Sequence, residues 1–327
     1  MIGDLFRPDE RGLAVALYNT APLLGPSLGP MLGAVVTQYL SWPWIFYILS
    51  IADTVLLISS FPLLRETYAP VLLAPQQPPQ DASNYNRKQP VSQRLSAVAK
   101  VLAQSTWRPL RMLFTQPVVQ ILALFLAYLY GTMYLVLSTF PTLWVERYHE
   151  NVVIGGLNYL SLGLGYLLGS QVCAFSMDKI HRILRTRDND YGKPECKPPL
   201  AIFSAFLVPA GLSIYAWCSQ YRTFWLSPDV SATLFAMGVI IGTQCVTNYL
   251  IDTYSVYTAS AIGAVALLRG FAGFGFPLFA PYLYANSDYG WGNSLLAFIA
   301  TFVGMSAAVG LWFFGQALRR RSTFCAG

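Results

Sequence analysis

Long uncharged apolar runs alternate with polar breaks along the whole 327-residue chain. No Asp, Glu, Lys or Arg lies between Arg11 and Asp53, between Arg111 and Glu146, between Glu150 and Asp178, or between Asp288 and Arg319. A helix needs about 20 apolar residues to cross a bilayer. The pattern predicts eight such helices, over residues 12–40, 44–64, 118–142, 153–175, 200–218, 231–254, 259–284 and 295–317. Hydrocarbon offers no partner for backbone N–H and C=O groups, so only helices and closed barrels satisfy them internally. The alternation over about ten residues that marks barrel strands is absent. Most breaks are short, at 38–43, 146–151, 221–229, 255–258 and 286–292, whereas 65–116 and 176–199 are long. The chain reads as an all-α, polytopic membrane helix bundle of about eight spans.

Composition agrees. Hydrophobic residues make up 55% of the chain, aromatic residues 15% and charged residues 11%, against about 25% charged in ordinary soluble domains. This excludes a cytosolic enzyme, a nucleic-acid binder and a disulfide-stapled secreted module. The net charge of +6 is explained by orientation. Arg7 and Arg11, then Arg65, Arg87, Lys88, Arg94, Lys100, Arg108 and Arg111, then Lys179, Arg182, Arg185, Arg187, Lys193 and Lys197, and finally Arg319, Arg320 and Arg321 all fall on one side of the predicted spans. Arg147 and Arg222 fall on the other. By the excess of basic residues in cytoplasmic loops, both termini and both long connections are cytosolic. The five cysteines, Cys173, Cys196, Cys218, Cys245 and Cys325, form no CxxC pair and have no histidine cluster beside them, so no metal and no cofactor are expected. The start of the chain has acids where a secretory peptide would be basic and apolar, so insertion is expected to rely on the spans themselves.

Two features lie in the first long connection. Val91, Leu95, Val98 and Leu102 recur at helical spacing beside Arg94 and Lys100, which predicts a short amphipathic helix on the inner leaflet or against the bundle, with a solvated linker helix as the alternative. The Gln/Pro/Asn-rich stretch at 75–90 reads as a disordered connector. In the first span, Gly25, Gly29 and Gly33 share one helix face and allow another backbone close, while Pro26 and Pro30 remove backbone donors and should bend the helix. Ser161, Gly165 and Gly169 form a matching small stripe in the fourth span, and the two stripes are expected to pack together.

The Gly25-Pro26…Gly29-Pro30…Gly33 run resembles the antiporter motif in span five of the drug:proton antiporter branch of the major facilitator superfamily. Asp4-Leu-Phe-Arg-Pro-Asp-Glu-Arg-Gly is similar to the loop before that span, and Trp42-Pro-Trp-Ile-Phe to the entry of span six, with Pro43 where the family usually has arginine. Arg65-Glu-Thr-Tyr-Ala-Pro-Val-Leu-Leu, Tyr130-Gly-Thr-Met-Tyr, Gly156-Leu-Asn-Tyr-Leu, Tyr249-Leu-Ile-Asp-Thr-Tyr, Leu268-Arg-Gly and Phe276-Pro-Leu-Phe resemble later segments of fungal members. The resemblance implies a twelve-span architecture of which this chain matches spans five to twelve, the first four being missing. It divides the chain into a two-span part of the N-terminal half (1–64), a cytosolic linker (65–115), a six-span C-terminal half (116–318) and a tail (319–327). It also implies export of small organic molecules such as drugs, toxins or a secondary metabolite across the cell membrane, coupled to protons. Membrane lipid, and either a second copy of the chain or the first four spans, are the expected protein-level partners. The alternative is a truncated membrane protein or interaction subunit that transports nothing by itself.

Charges inside spans are the first candidates for a substrate path, since each costs about 2.5–3.5 kcal/mol at a helix centre. Arg269 lies ten residues into its span, so about 15 Å deep. The competing role for it is a structural bond to neighbouring carbonyls. Gln244, Asn248 and Asp252 form an i, i+4, i+8 polar stripe that should face a cavity. Asp53 is expected to be structural. Tyr130 and Tyr134 share a face of the third span, and Asn158 lies in the first turns of the fourth. Such a tyrosine-lined pocket suits bulky, partly apolar molecules.

Overall fold

In the computed structural model, which describes residues 11–63, 106–187, 198–254 and 257–320, every regular element among the described residues is helical. In chain order these are α1 (Arg11–Tyr39), α2 (Pro43–Leu63), α3 (Pro117–Thr142), α4 (Val152–Leu157), α5 (Tyr159–Arg187), α6 (Pro198–Gln220), α7 (Leu226–Thr253) and α8 (Thr258–Arg320). A π-helical turn, Leu143–Arg147, follows α3, and residues 106–115 are also helical. The amphipathic stretch around Val91–Leu102, the connector at 75–90, the loop from Asp4 and the end of the tail lie outside the described residues.

Six stretches among the described residues are long and apolar enough to cross a membrane. One of them, Thr258–Gly310, is 53 residues long, which at 1.5 Å per residue is more than twice a bilayer's hydrocarbon thickness. It breaks only at Asp288, whose φ of 52° and ψ of 179° are non-helical. The two limbs, 258–287 and 289–320, coincide with the last two expected spans, and the expected seven-residue connection shrinks to one residue. The expected first span coincides with α1, which is not among the six.

Three other boundaries differ from the expected ones. The fourth span divides at Asn158 into α4 and α5. From there α5 runs on to Arg187, because no Gly or Pro interrupts 176–187 and a helix leaving the bilayer needs no loop when its own backbone bonds persist. The start of α7 is Leu226 rather than Ser231, with Pro228 and Asp229 in its first turn, where a missing N–H is harmless and an acid meets the positive end of the helix.

The chain separates into two units, Met1–Gln104 and Ser105–Gly327. Within the first, α1 and α2 meet close to their connection, where a Cβ on Gly33 would lie 4.0 Å from Ile45 Cδ1. Pro26 and Pro30 sit inside α1, which continues to Tyr39. Beside them the Ser27 hydroxyl donates to the Leu24 carbonyl (2.9 Å).

Within the second unit, α7 packs against α5, α6 and α3, while α8 packs against α3 and α6. Small residues decide where backbones touch. Ser204 of α6 donates to the Gly238 carbonyl of α7 at 2.8 Å, and Gly211 leaves no room for a side chain against Phe235. The Tyr128 hydroxyl ties α3 to the Leu296 carbonyl in the second limb of α8. At one end of the unit Phe140, Trp144, Tyr159 and Tyr215 form a buried aromatic cluster, with Phe140 centred 4.9 Å from Tyr159 and 6.3 Å from Tyr215. The outer surface is apolar: Phe271, Phe274, Phe298 and Phe302 all point outwards. An exposed belt of this kind is a liability in water and is satisfied by lipid.

The small stripe of the fourth span has a different partner from the one expected. Ser161 accepts a bond from Thr233 Oγ1 (2.9 Å). A Cβ on Gly165 would strike the Thr233 carbonyl and Ala236, and one on Gly169 would lie 2.7 Å from the Met237 carbonyl. The stripe is therefore filled by α7 rather than kept for the Gly25–Gly33 face. Carbonyls and a small alanine of α7 fit against bare Cα positions without any side chain having to move.

Candidate functional site

The expected path residues fall into three places in the second unit. The first is the seam between α3 and the first limb of α8. Gly131 of α3 receives the Phe276 ring, and Gly273 of α8 receives the edge of Tyr134. With the two helices set in this register, Arg269 Cζ lies 4.4 Å from the centroid of the Tyr130 ring. Tyr134 follows one turn later, its ring 6.4 Å from Tyr130. Arg269 is half-buried, about 17 Å along the axis from Thr258. Among the described residues no acidic side chain pairs with it. The tyrosine face supplies a favourable but partial neutralisation of its charge. Tyr166 of α5 is a further buried phenol of the unit. It is 1% exposed, and its hydroxyl has no hydrogen-bond partner among the described residues.

The second place is the seam between α5 and α7. Gln244 Nε2 donates to Ser170 Oγ over a long 3.4 Å. Ser170 is one turn from Tyr166 on α5. Asn248 is half-buried and Asp252 exposed at the end of α7.

The third place is the turn end of the unit. Asn158 is here rather than beside Arg269, and its amide donates to Glu150 Oε2 (3.0 Å). Ser161 Oγ donates to the Asn158 carbonyl (2.7 Å). Asp229 was expected in a loop but is only 8% exposed. One of its carboxylate oxygens is buried and unpartnered, and Ser161 stands beside it. At the helix break, Arg147 Nη2 lies 3.7 Å from Asp288 Oδ1 and its guanidinium sits over the Tyr289 ring at 4.8 Å. That pair lies beside the positive φ of Asp288. In the first unit Asp53 is exposed on the apolar α2.

An apolar cleft of about 510 Å³ lies on another side of the α3–α8 seam, lined by Ile121, Leu124, Tyr128, Ala272, Phe276 and Val303 among others. None of the expected path residues borders it. Among the described residues, no group of three or more His, Cys, Asp or Glu side chains is placed to hold a metal ion.

Sequence reasoning passed over Tyr166 and Asp229. The signal for Asp229 was present in Ser227-Pro228-Asp229, a helix-start pattern that moves the acid from loop to helix. Tyr166 carried no such signal, because one tyrosine in an apolar run reads as ordinary packing.

A polytopic helical unit with an apolar exterior and interior polar and charged side chains defines an integral membrane protein. The family model of the Major Facilitator Superfamily matches residues 1–277, and the chain belongs to that family as a multi-pass membrane protein. The uncharacterized transporter C1529.01 of Schizosaccharomyces pombe is 41% identical over 324 residues, covering 98% of this chain and 66% of that protein. The MFS-type transporter oryF of Aspergillus oryzae is 39% identical over 324 residues, 98% of this chain and 67% of its own length. The efflux pump vrtL of Penicillium aethiopicum is 39% identical over 326 residues, 100% of this chain and 65% of its own length. The chain thus spans about two thirds of the length of these relatives.

Proposed function

We propose that the chain supplies the transport bundle of an export carrier for small organic molecules, driven by protons and working by alternating access. The observation that carries this reading is a charge kept inside a membrane span of a Major Facilitator Superfamily fold. Arg269 costs about 2.5–3.5 kcal/mol at such a depth. A purely structural helix would avoid that cost with leucine. Two relatives that cover nearly the whole chain bear the printed names efflux pump vrtL and efflux pump radE, which supports the outward direction. In this reading Tyr130, Tyr134, Asn158, Gln244, Asn248, Asp252 and Arg269 border the path. The Gly25, Pro26, Gly29, Pro30 and Gly33 helix supplies the close-packed, bendable element that rocking bundles use. The carrier sits in the cell membrane with both termini cytosolic.

The test is disruption of the chromosomal gene, so that the chain is assayed as the cell makes it. Disruption is expected to raise cellular retention of at least one dye in a panel of neutral, cationic and anionic fluorescent compounds. An uncoupler should abolish the difference by collapsing the proton gradient. Equal retention in disrupted and parental cells across the panel would leave a membrane protein that transports none of them and would favour an interaction role.

A further inference from the structure

Asp229 stands in the first turn of α7, is 8% exposed, and keeps its Oδ1 atom buried with no hydrogen-bond partner among the described residues. A carboxylate oxygen in that condition is costly, because nothing replaces the water it has lost. The start of a helix favours negative charge through its free N–H groups, but none of them reaches Oδ1. Facing Asp229 is Ser161 of α5. The Thr233 hydroxyl lies 2.9 Å from both the Asp229 carbonyl and the Ser161 carbonyl and so holds the two residues together. The Ser161 side chain is within hydrogen-bond reach of the Asp229 carboxyl. A hydroxyl has one proton to donate, and Ser161 gives it to the Asn158 carbonyl at 2.7 Å. Asn158 is held in turn by Glu150, whose Oε2 accepts its amide at 3.0 Å. What Ser161 Oγ presents to Asp229 is therefore lone pairs, which repel a carboxylate and accept a bond from a carboxylic acid. The other groups at this end supply no counter-charge. Glu150 and Tyr148, from the connection between α3 and α4, act on Asp229 as further acids, and Cys218 of α6 stands beside Tyr148. Arg147 is turned to Asp288 and Tyr289, and His149 and Arg222 are exposed.

We propose that Asp229 is a proton-binding site, a carboxylic acid that donates to Ser161 Oγ and seals this end of α5 against α7, and that it gives up its proton when the two helices part there. This names a residue that binds the driving proton of the carrier proposed above and rests on that reading. Water at the turn end supplies the proton, an O–H bond forms on the carboxylate, and its bond to Ser161 closes the seam. Loss of the proton to water leaves a carboxylate facing lone pairs. That anion needs hydration, and water reaches it only where α5 and α7 separate. Further along the seam Gly165 and Gly169 lie under backbone carbonyls of α7, so no side chain can absorb the separation. Asn158 and Glu150 are positioning residues that fix the direction of the Ser161 hydroxyl. Protonation and closure are thus one event, which is what proton-driven alternating access asks of an acid.

The experiment is infrared spectroscopy of the purified 327-residue chain in phosphatidylcholine nanodiscs, following the C=O stretch of protonated carboxyl groups as pH is raised. At about pH 6 ordinary Asp and Glu, which titrate at about 4, are almost wholly ionised, so intensity that persists there reports a sequestered acid. The parent is expected to show it. Asp229→Asn, a neutral group of the same shape, should remove the share that belongs to a single carboxyl, and Glu150→Gln should leave that share in place. Ser161→Ala takes away the acceptor and should move the same component to the higher frequency of an acid without a hydrogen bond, a change that looser packing alone would not give. Undiminished intensity in Asp229→Asn would overturn the proposal, as would loss of the component in Glu150→Gln or an unshifted component in Ser161→Ala. If Asp229→Asn does not fold, Ser161→Ala decides, because it removes a single hydroxyl. The outcome is separable from that of the carrier reading. No such component in a chain whose disruption raises proton-dependent dye retention refutes this proposal alone. A component that is present in a chain whose disruption changes no dye refutes the carrier reading and removes the coupling role with it.

Discussion

Two seams of the second unit use the same amino acid for different ends. Between α5 and α7, Gly165 and Gly169 lie directly under the carbonyls of Thr233 and Met237. Backbone meets backbone there, nothing flexible stands in the gap, and the seam can only be fully closed or fully parted. Between α3 and the first limb of α8, Gly131 and Gly273 receive aromatic rings, from Phe276 and Tyr134. Rings can turn about their own side-chain bonds, so this seam tolerates changes in what lies beside it. Arg269, which has no acidic partner among the described residues, is on this second seam. A small residue by itself therefore does not mark a rigid contact. Its neighbour across the seam decides that.

The sharpest way to break this comparison is Gly169→Leu. Its Cβ alone would be 2.7 Å from the Met237 carbonyl and 3.0 Å from Met237 Cα, and backbone cannot swing aside as a side chain can. A loss of about 3 kcal/mol is expected, at the upper end for overpacking. It can be read as the shift in the denaturation midpoint of the purified chain during titration with sodium dodecyl sulfate. A midpoint like that of the parent would mean that α5 and α7 do not touch as described. Gly131→Ala is the intermediate case. Its new methyl would lie 2.7–2.9 Å from three atoms of the Phe276 ring, and that ring is itself held by Tyr128 at 5.9 Å and Phe279 at 5.3 Å. Helix propensity returns up to about 1 kcal/mol, leaving a net loss of about 1 kcal/mol in the same titration. A gain in stability would show that Phe276 is free.

How much of this could be read beforehand depends on the kind of signal. The spans were legible because lipid imposes length and charge exclusion on each segment separately. Arg269 was legible as a candidate because it is the lone charge between Asp252 and Asp288. Its stacking on Tyr130 was not, since that depends on the register of α3 against α8, and nothing local sets it. The stripe of Ser161, Gly165 and Gly169 announced that a helix would come close without saying which one. The Gly25–Gly33 face was a reasonable partner by symmetry of pattern. The helix that fills the stripe, α7, has Thr233, Ala236 and Met237 at the contact, and only Ala236 is small. Its carbonyls make the fit, and every residue type has a carbonyl. The expected seven-residue break before the last span failed for a related reason. Asn286, Asp288, Gly290 and Gly292 read as loop formers, yet only Asp288 leaves the helix, with Arg147 of a distant segment beside it.

Gly273→Ala is the smallest expected effect and the closest check on the second seam. A Cβ here would stand 3.0 Å and 3.3 Å from two edge atoms of the Tyr134 ring. That separation is tight but belongs to the far side of a side chain that is 47% exposed and free to tilt outwards. Tilting by a few tenths of an ångström costs little, whereas alanine in place of glycine inside a helix favours the folded state by about 0.5–1 kcal/mol. The two nearly cancel, and the sign falls on the side of slight stabilisation, about 0.5 kcal/mol or less in the denaturant titration. A loss of stability comparable to that of Gly131→Ala would show that Tyr134 is locked. The α3–α8 seam would then be as rigid as the α5–α7 seam, and the contrast between them would disappear.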